Sequence, residues 1–438
     1  MTKILKNRTR IFVLCLCYSI LICNSTFCQS YAFTGGQWFI KSRFKKVTVY
    51  SVNGTISFTK PSSIDSVIDL NGKFVIPPFG DAHTHNLDGG FNLKEMIAKY
   101  LTEGVFYVQV LGNNGEGSAA VRPALEKFKK IDVTYANGLL TSTYGHGFFP
   151  YEPLAMGIYA PYLQFKYADS IKKSRIVENK AYYFLDSKTD VDTKWPLIMK
   201  YKPDHIKICL NDAKNYPEKR KLERADDNGL SEEVAAYVVQ KAHSLGLRVF
   251  AHIETADDAR ICAKIGVDVL AHLPGYYWDG TKETSAKYCM TKKDVRLFKK
   301  AGLAVIPTIN IDGTTKFDSS GNPIYNRTNF LAAVAYEKKM LRLMYRANIP
   351  IALGGDYFGN TVAPEIDSLI KYDFFSNKDL LKLYSTITPQ IIFPHRKIGE
   401  FAEGYEASFL VLRENPLLNI EAIKDIVLRV KEGSFIKL

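Results

Sequence analysis

Two rhythms of apolar and polar positions divide the chain. Over residues 30–77, the stretches QWFI, KKVTVYSV, GTISFTK and KFVIPP are rich in β-branched and aromatic residues and separated by Gly, Asn and Pro. Partial alternation bounded by turn residues predicts short β-strands packed as a small layer. From residue 78 the rhythm changes to eight short apolar runs: FVIPPFGDAH, VFYVQVLG, VTYANGLL, HIKICL, RVFAHI, VDVLAHL, AVIPTIN and PIALGGD. Runs of this kind predict strands covered on both faces. Amphipathic stretches lie between several of them. In SEEVAAYVVQKAHSLG, Ser231 suits the helix N-cap and Glu232 and Glu233 suit the positive end of its dipole, while Gly246 suits the left-handed C-terminal position. Eight strands alternating with helices predict an α/β fold, a (β/α)8 barrel. From about residue 398 the strand rhythm returns in EASFLVLR, DIVLRVKEG and SFIKL. The expected organisation is a barrel over 78–397 and a composite β-sandwich domain formed by 30–77 plus 398–438.

Three connections exceed the usual loop length: residues 147–200, 274–293 and 311–330. Each follows the C-terminal end of a barrel strand, the face on which barrel active sites are built. Loops of that length there are expected to form lids or substrate walls.

The N-terminus carries a different signal. Basic residues Lys3, Lys6, Arg8 and Arg10 precede the apolar run IFVLCLCYSILIC at 11–23 and the polar segment NSTFCQS. A charged, then apolar, then small-residue order predicts a secretory signal peptide over 1–29, cleaved near Cys28 to Ser30. The run is too short to span a bilayer comfortably. Export to the periplasm or the exterior is therefore expected. Lipoprotein anchoring is disfavoured because Ile22 and Phe27 precede Cys23 and Cys28.

The formal net charge is +13, part of which belongs to this basic N-terminal stretch. The remaining Lys and Arg are interspersed with acids, as in KNYPEKRKLERADD, with no dense basic stripe of the kind that tracks nucleic acid. The expected partner is a small-molecule substrate; homo-oligomerisation is left open. Beyond the leader only Cys209, Cys262 and Cys289 remain, too few and too scattered for a disulfide framework. Buried free thiols are expected.

The histidines concentrate the chemistry. His83 and His85 end the first barrel strand, and residues i and i+2 point to one side of a strand. Two imidazoles there make half of a site for a divalent ion. His252, His272 and Asp356 end three further strands, at the face where barrel sites are built. Lys207 lies within HIKICL, where an unpaired ammonium is costly. Burial lowers the pKa of such an amine and makes it nucleophilic, able to take up carbon dioxide as a carbamate, an anionic bidentate ligand.

The pieces VIPPFGDAHTH, HIKICL, AHSLGLRVFAHIETADDARICAKIGVDVLAHL, PIALGGD and KIGEFAEGYEASFLVLRENPL, in this order, resemble the amidohydrolase superfamily, in the branch of imidazolonepropionases and prolidase-type dipeptidases. They span nearly all of residues 70–420. The departures are Pro78, where Gly is usual, and Ser408, where Asp is usual. The resemblance implies two divalent metal ions, most often Zn2+. His83, His85 and Asp356 would hold one ion and His252 and His272 the other, with carboxylated Lys207 and a water bridging them. It implies that Asp356 takes the proton of the attacking water and passes it to the leaving nitrogen. It sets His146, in TSTYGHGFFP, near the substrate, where it either binds and polarises the carbonyl or serves the loop alone.

Other residues have two readings. Tyr144, Tyr276, Tyr277 and Trp278 line a pocket or pack their loops. Glu254 orients a ligand or lies on the surface. His243 reads as a packing residue between helix and barrel, and His205 and His395 as structural. The expected activity is metal-dependent hydrolysis of a C–N bond in an amide, a cyclic amide or a dipeptide. A mononuclear heterocycle deaminase, a lactonase or esterase on the same barrel, and a non-catalytic secreted binding protein are the alternatives. Lys207 argues against the deaminase, and the complete ligand set against the binding protein.

Overall fold

The computed structural model describes residues 30–438 apart from 90–91, 225–226, 276–277, 279–280, 310–315, 318–322 and 325–326. Residues 1–29, read above as a signal peptide, lie outside the described residues.

The N- and C-terminal segments build two facing sheets. One has four strands, ordered Thr55–Ser57, Val49–Val52, Tyr31–Thr34 and Ser66–Asp69. The other has six, ordered Ser434–Phe435, Ile426–Lys431, Phe409–Leu412, Phe74–Ile76, Gln37–Ile40 and Arg43–Lys46. Between them lies an apolar core that includes Phe33, Trp38, Val49, Val75, Phe401, Phe409 and Val430. Trp38 meets Phe401 edge-on with ring centroids 4.8 Å apart. The stretch KKVTVYSV, read as one strand, is two: the chain crosses from one sheet to the other between Lys46 and Val49. The strands Tyr31–Thr34 and Ser66–Asp69 lie outside the stretches singled out by their pattern.

The barrel strands follow in parallel. The first is Phe79–Thr84 and the second Val105–Val110. The third is interrupted: Asp132–Tyr135 pairs with the second strand, and Leu139–Thr141 pairs with the fourth, Ile206–Cys209. The break falls at Asn137 and Gly138, both at positive φ (56° and 117°). The fifth, sixth and seventh are Val249–His252, Val269–Ala271 and Ala304–Ile306.

The eighth position is not a regular strand. Residues 351–356 make one bridge to Val305 through Ile351. The ring closes onto the first strand where Ala82 donates its N–H to Leu353 (2.8 Å) and Asp356 donates to the His83 carbonyl (2.6 Å). The ladder fails because side chains take its hydrogen bonds. The Leu353 N–H goes to Thr388 Oγ1 (2.8 Å) and the Gly355 N–H to Asp81 Oδ1 (3.2 Å). Thr388 follows a π-helical turn, Leu383–Ile387, and donates its hydroxyl back to the Leu383 carbonyl at 2.8 Å.

The helix Glu232–Ser244 has the expected ends: the Ser231 hydroxyl accepts from the Val234 N–H, and Gly246 sits at φ 71°. The connection 147–200, expected as a lid or wall, is a structured insertion. It holds helices Phe148–Ala155, Pro161–Lys166, Ala168–Lys173 and Lys188–Met199 and a strand, Tyr182–Phe184, paired with Leu139–Thr141. Glu152, fully buried, fastens it by accepting hydrogen bonds from Ser174 Oγ (2.6 Å) and Tyr182 Oη (2.9 Å). The insertion is thus tied to the third strand through its own strand and to itself through Glu152. The connection 274–293 contains the helix Lys282–Tyr288, and 311–330 is described only in part.

Candidate metal centre

Asp81, His83 and His85 come from the end of the first strand, where its register is irregular between Asp81 and Thr84. Asp81 Oδ1 accepts the N–H of His83 (3.2 Å) and of Gly355 (3.2 Å), and Oδ2 accepts from Tyr100 Oη (3.1 Å). One buried carboxyl thus ties the first strand to the eighth segment. Burial pushes its pKa up to about 7 despite these donors. The two segments come so close at Gly354 that a Cβ there would lie 2.5 Å from the His83 backbone nitrogen.

This approach brings three ligand types to one point. His83 Nε2 lies 3.0 Å and His85 Nε2 2.8 Å from Asp356 Oδ1. His85 Nδ1 lies 2.9 Å from the Gly112 carbonyl, which can only accept, so that nitrogen carries the proton and Nε2 is left with its lone pair toward Asp356. Tyr151 Oη, from the insertion, stands 2.8 Å from the same Nδ1. Asp356 has φ 55°, an unfavourable backbone region for a residue with a Cβ, held by the surrounding hydrogen bonds.

A second cluster adjoins the first. His146, His252 and Glu254 each present a ligand atom, all within 4.8 Å of one another, as do His83, His85 and Asp356. The rings of His146 and His252 are stacked. His252 Nε2 lies 3.6 Å from Glu254 Oε1. His272 joins the two clusters: its ring centroid is 4.6 Å from that of His252 and 5.1 Å from that of His83. Its Nδ1 meets Thr308 Oγ1 at 2.7 Å and lies 3.7 Å from Asp356 Oδ2.

Burial sets the charge states. It lowers His83 to about 4 and holds His252 and His272 well below the ordinary imidazole value, so all three are neutral near pH 7. Burial alone would raise the Asp356 carboxyl. The imidazoles of His83 and His85, both in contact with it, outweigh burial and keep Asp356 well below the usual carboxylate range. Neutral imidazoles beside an ionised carboxylate are the donor set a divalent cation requires.

Lys207 is 2% exposed, and burial lowers its amine from 10.5 to about 8. Its charge acts on His83, His252 and His272, which places it beside both clusters. Among the described residues, three buried nitrogens here have no hydrogen-bond partner: His83 Nδ1, His252 Nε2 and Lys207 Nζ. Buried polar atoms are rarely left so, and their concentration at one point is what residues suited to hold a cation would present.

His83, His85, Lys207, His252, His272 and Asp356 therefore converge. His146, expected near substrate, stands against His252, and Glu254 belongs to the same cluster. Tyr144 packs: its ring meets Phe148 and Phe184 and lies beneath Lys172 and Arg175. Trp278 also packs, donating Nε1–H to the Thr281 carbonyl at 2.9 Å and meeting Tyr336 edge-on. Tyr276 and Tyr277 lie outside the described residues. His205 is buried, with Nε2 3.2 Å from the Val110 carbonyl.

The reading of His243 needs correction. It is exposed, and Nε2 pairs with Asp268 Oδ2 at 2.9 Å. Position 243 is in the last turn of its helix, where a side chain reaches solvent. Asp268 also accepts the Val249 N–H (2.7 Å), so the pair is a surface link from helix end to strand start. Cys209 and Cys262 are buried and Cys289 half-buried, and none of the three forms a disulfide. The roles of Asp81 and Tyr151 went unread. Asp81 was open to discovery by the same i, i+2 spacing as the histidines; Tyr151 left no comparable signal.

No family model and no curated protein matches the sequence. Solved structures do match its fold. An amidohydrolase of known structure superposes with a TM-score of 0.67 at 18% identity, covering 93% of this chain and 99% of that one. A Xaa-Pro dipeptidase with methionine bound in its active site gives 0.67 at 17%, covering 94% and 100%. The ochratoxinase of A. niger gives 0.68 at 16%, covering 93% and 96%. The chain thus has the amidohydrolase fold, a barrel with a β-sandwich built from its N- and C-terminal strands.

Proposed function

We propose that the chain is a metal-dependent hydrolase of a carbon–nitrogen bond in an amide, a cyclic amide or a dipeptide. The observation that carries this reading is Lys207 Nζ, buried and without a hydrogen-bond partner beside two clusters of His and carboxylate ligands. The hydrolases that share the fold, among them a Xaa-Pro dipeptidase and an ochratoxinase, support it.

In this reading His83, His85 and Asp356 would hold one divalent ion and His252 and His272 a second, with Lys207, as a carbamate, a further ligand. Zinc suits the imidazole and carboxylate donors. Ions bound there would supply Lewis acidity and lower the pKa of a water molecule. The chain's own groups do the rest. Asp356, ionised and buried, accepts a proton from the attacking water and returns it to the leaving nitrogen. His146, on the insertion side, takes the substrate carbonyl. Asp81 ties the strand carrying His83 to the segment carrying Asp356. The basic, then apolar leader supports export, so the substrate would be met in the periplasm or outside the cell.

Metal analysis of the zinc-loaded chain and a panel of Xaa-Pro and other dipeptides, cyclic amides and lactones test the reading. Two ions per chain and cleavage of an amide are expected. One ion per chain, or cleavage confined to lactones, would overturn it.

A further inference from the structure

The turn after Asp356 exposes an aromatic ring on a rigid mount. Phe358 is 48% exposed. Its plane lies on the imidazole of His85, with centroids 4.7 Å apart and planes 14° from parallel. Tyr151 meets the same phenyl ring edge-on at 5.7 Å. The turn itself is pinned to the end of the first barrel strand. His85 donates its N–H to the Tyr357 carbonyl (3.2 Å), Gly359 donates to Asn86 Oδ1 (2.7 Å), and Asn86 Nδ2 donates to the Asn360 carbonyl (2.6 Å). The exposure of Phe358 therefore does not come from a loose loop. One face of the ring covers a residue of the candidate metal centre, and the remainder is apolar surface held in place at its edge.

We infer that Phe358, backed by Tyr151, forms an apolar subsite, and that the preferred substrates carry an apolar, best of all planar, group on one side of the scissile bond. This rests on the hydrolytic reading above. Apolar surface fixed beside a reacting centre gains contact only from substrates that bury it, so it discriminates by side chain. Stacking and edge contacts add to the area buried. Phe358 is thus a specificity-determining residue, and its cover of the His85 ring is a separate contribution.

The test uses the zinc-loaded full chain, Phe358→Ala and Phe358→Leu, with metal content measured for each. Dipeptides pairing Gly with Phe, Leu, Ser, Asp or Lys in either position are the substrates. The wild type is expected to prefer Phe and Leu at one of the two positions. In Phe358→Ala, kcat/KM for those substrates should fall about tenfold, mainly through KM, while Ser and Asp dipeptides change less than about twofold. Phe358→Leu should recover the Leu dipeptides more fully than the Phe dipeptides. A uniform loss across all side chains, or a loss that follows metal content, would overturn the subsite and leave Phe358 a prop for His85. If no dipeptide is cleaved, the hydrolytic reading on this class fails separately, and calorimetric binding of free Phe, Leu, Ser and Asp still decides the subsite. Tighter binding of Phe and Leu that weakens in Phe358→Ala supports it, and equal binding of all four overturns it.

Discussion

The imidazole rings of His146 and His252 lie face to face, with centroids 3.7 Å apart and planes 15° from parallel. His252 ends a barrel strand, while His146 comes from the loop after the third strand, whose Gly145 N–H and His146 N–H are held by Ser142 and Asn228 carbonyls. A group that acts on substrate and a group that holds a metal make different predictions. His146→Asn is expected to lower kcat by about 10²-fold with metal content unchanged, as for loss of a polarising or proton-handling group. Steady-state kinetics with elemental analysis of the same samples checks this. Loss of one ion per chain would make His146 a ligand.

Asp356 is shared between His83, His85 and His272 and is the carboxylate nearest all three. Asp356→Asn retains the shape and one oxygen but cannot take a proton at neutral pH. Turnover is expected to fall by about 10³-fold or more while at least one ion per chain is kept. Pre-steady-state kinetics and metal titration separate the two roles. Turnover within tenfold of wild type would remove Asp356 as the proton carrier.

Lys207 gives opposite signs for function and for stability. Replacing it with Met removes a buried polar group without a partner, so metal-free Lys207→Met should be more stable than metal-free wild type by about 1–3 kcal/mol. The same change should abolish two-ion stoichiometry, and bicarbonate should speed metal loading of wild type but not of the variant. Denaturant unfolding and loading kinetics measure both. A less stable metal-free variant, or bicarbonate-independent loading of wild type, would contradict the carbamate.

The barrel and much of its centre were legible in the sequence because both follow from strand periodicity. Buried parallel strands read as apolar runs, and a ligand at each strand end stands out against them, which is why His83, His85, His252, His272 and Asp356 could be found by position alone. The parts that escaped depend on tertiary contact. The eighth segment reads as a strand, but Thr388 and Asp81 take the hydrogen bonds that its ladder would use. Tyr182–Phe184 is three residues long and owes its strand geometry to Leu139–Thr141. Tyr151 meets His85 only because Glu152 fastens the insertion that carries it. His243 shows the converse: a histidine amid apolar helix positions reads as packed, yet its place in the last helical turn puts it on the surface against Asp268.

His205 offers a pH test outside the ligand set. It is 1% exposed, and burial lowers its pKa from 6.5 to about 3, with the charge of Arg248 acting in the same direction. A folded value below the unfolded one means that the unfolded chain binds the proton first as pH falls. The stability this residue contributes is thus complete above about pH 6.5 and is lost progressively toward pH 3. Between pH 7.5 and 5 the loss should be about 2 kcal/mol. His205→Gln keeps a donor for the Val110 carbonyl and does not titrate. Denaturant unfolding of both metal-free chains at the two pH values isolates the effect, because the other buried histidines contribute equally to each and cancel. Wild type should lose about 2 kcal/mol more than the variant, and equal losses would show that His205 is protonated in the fold.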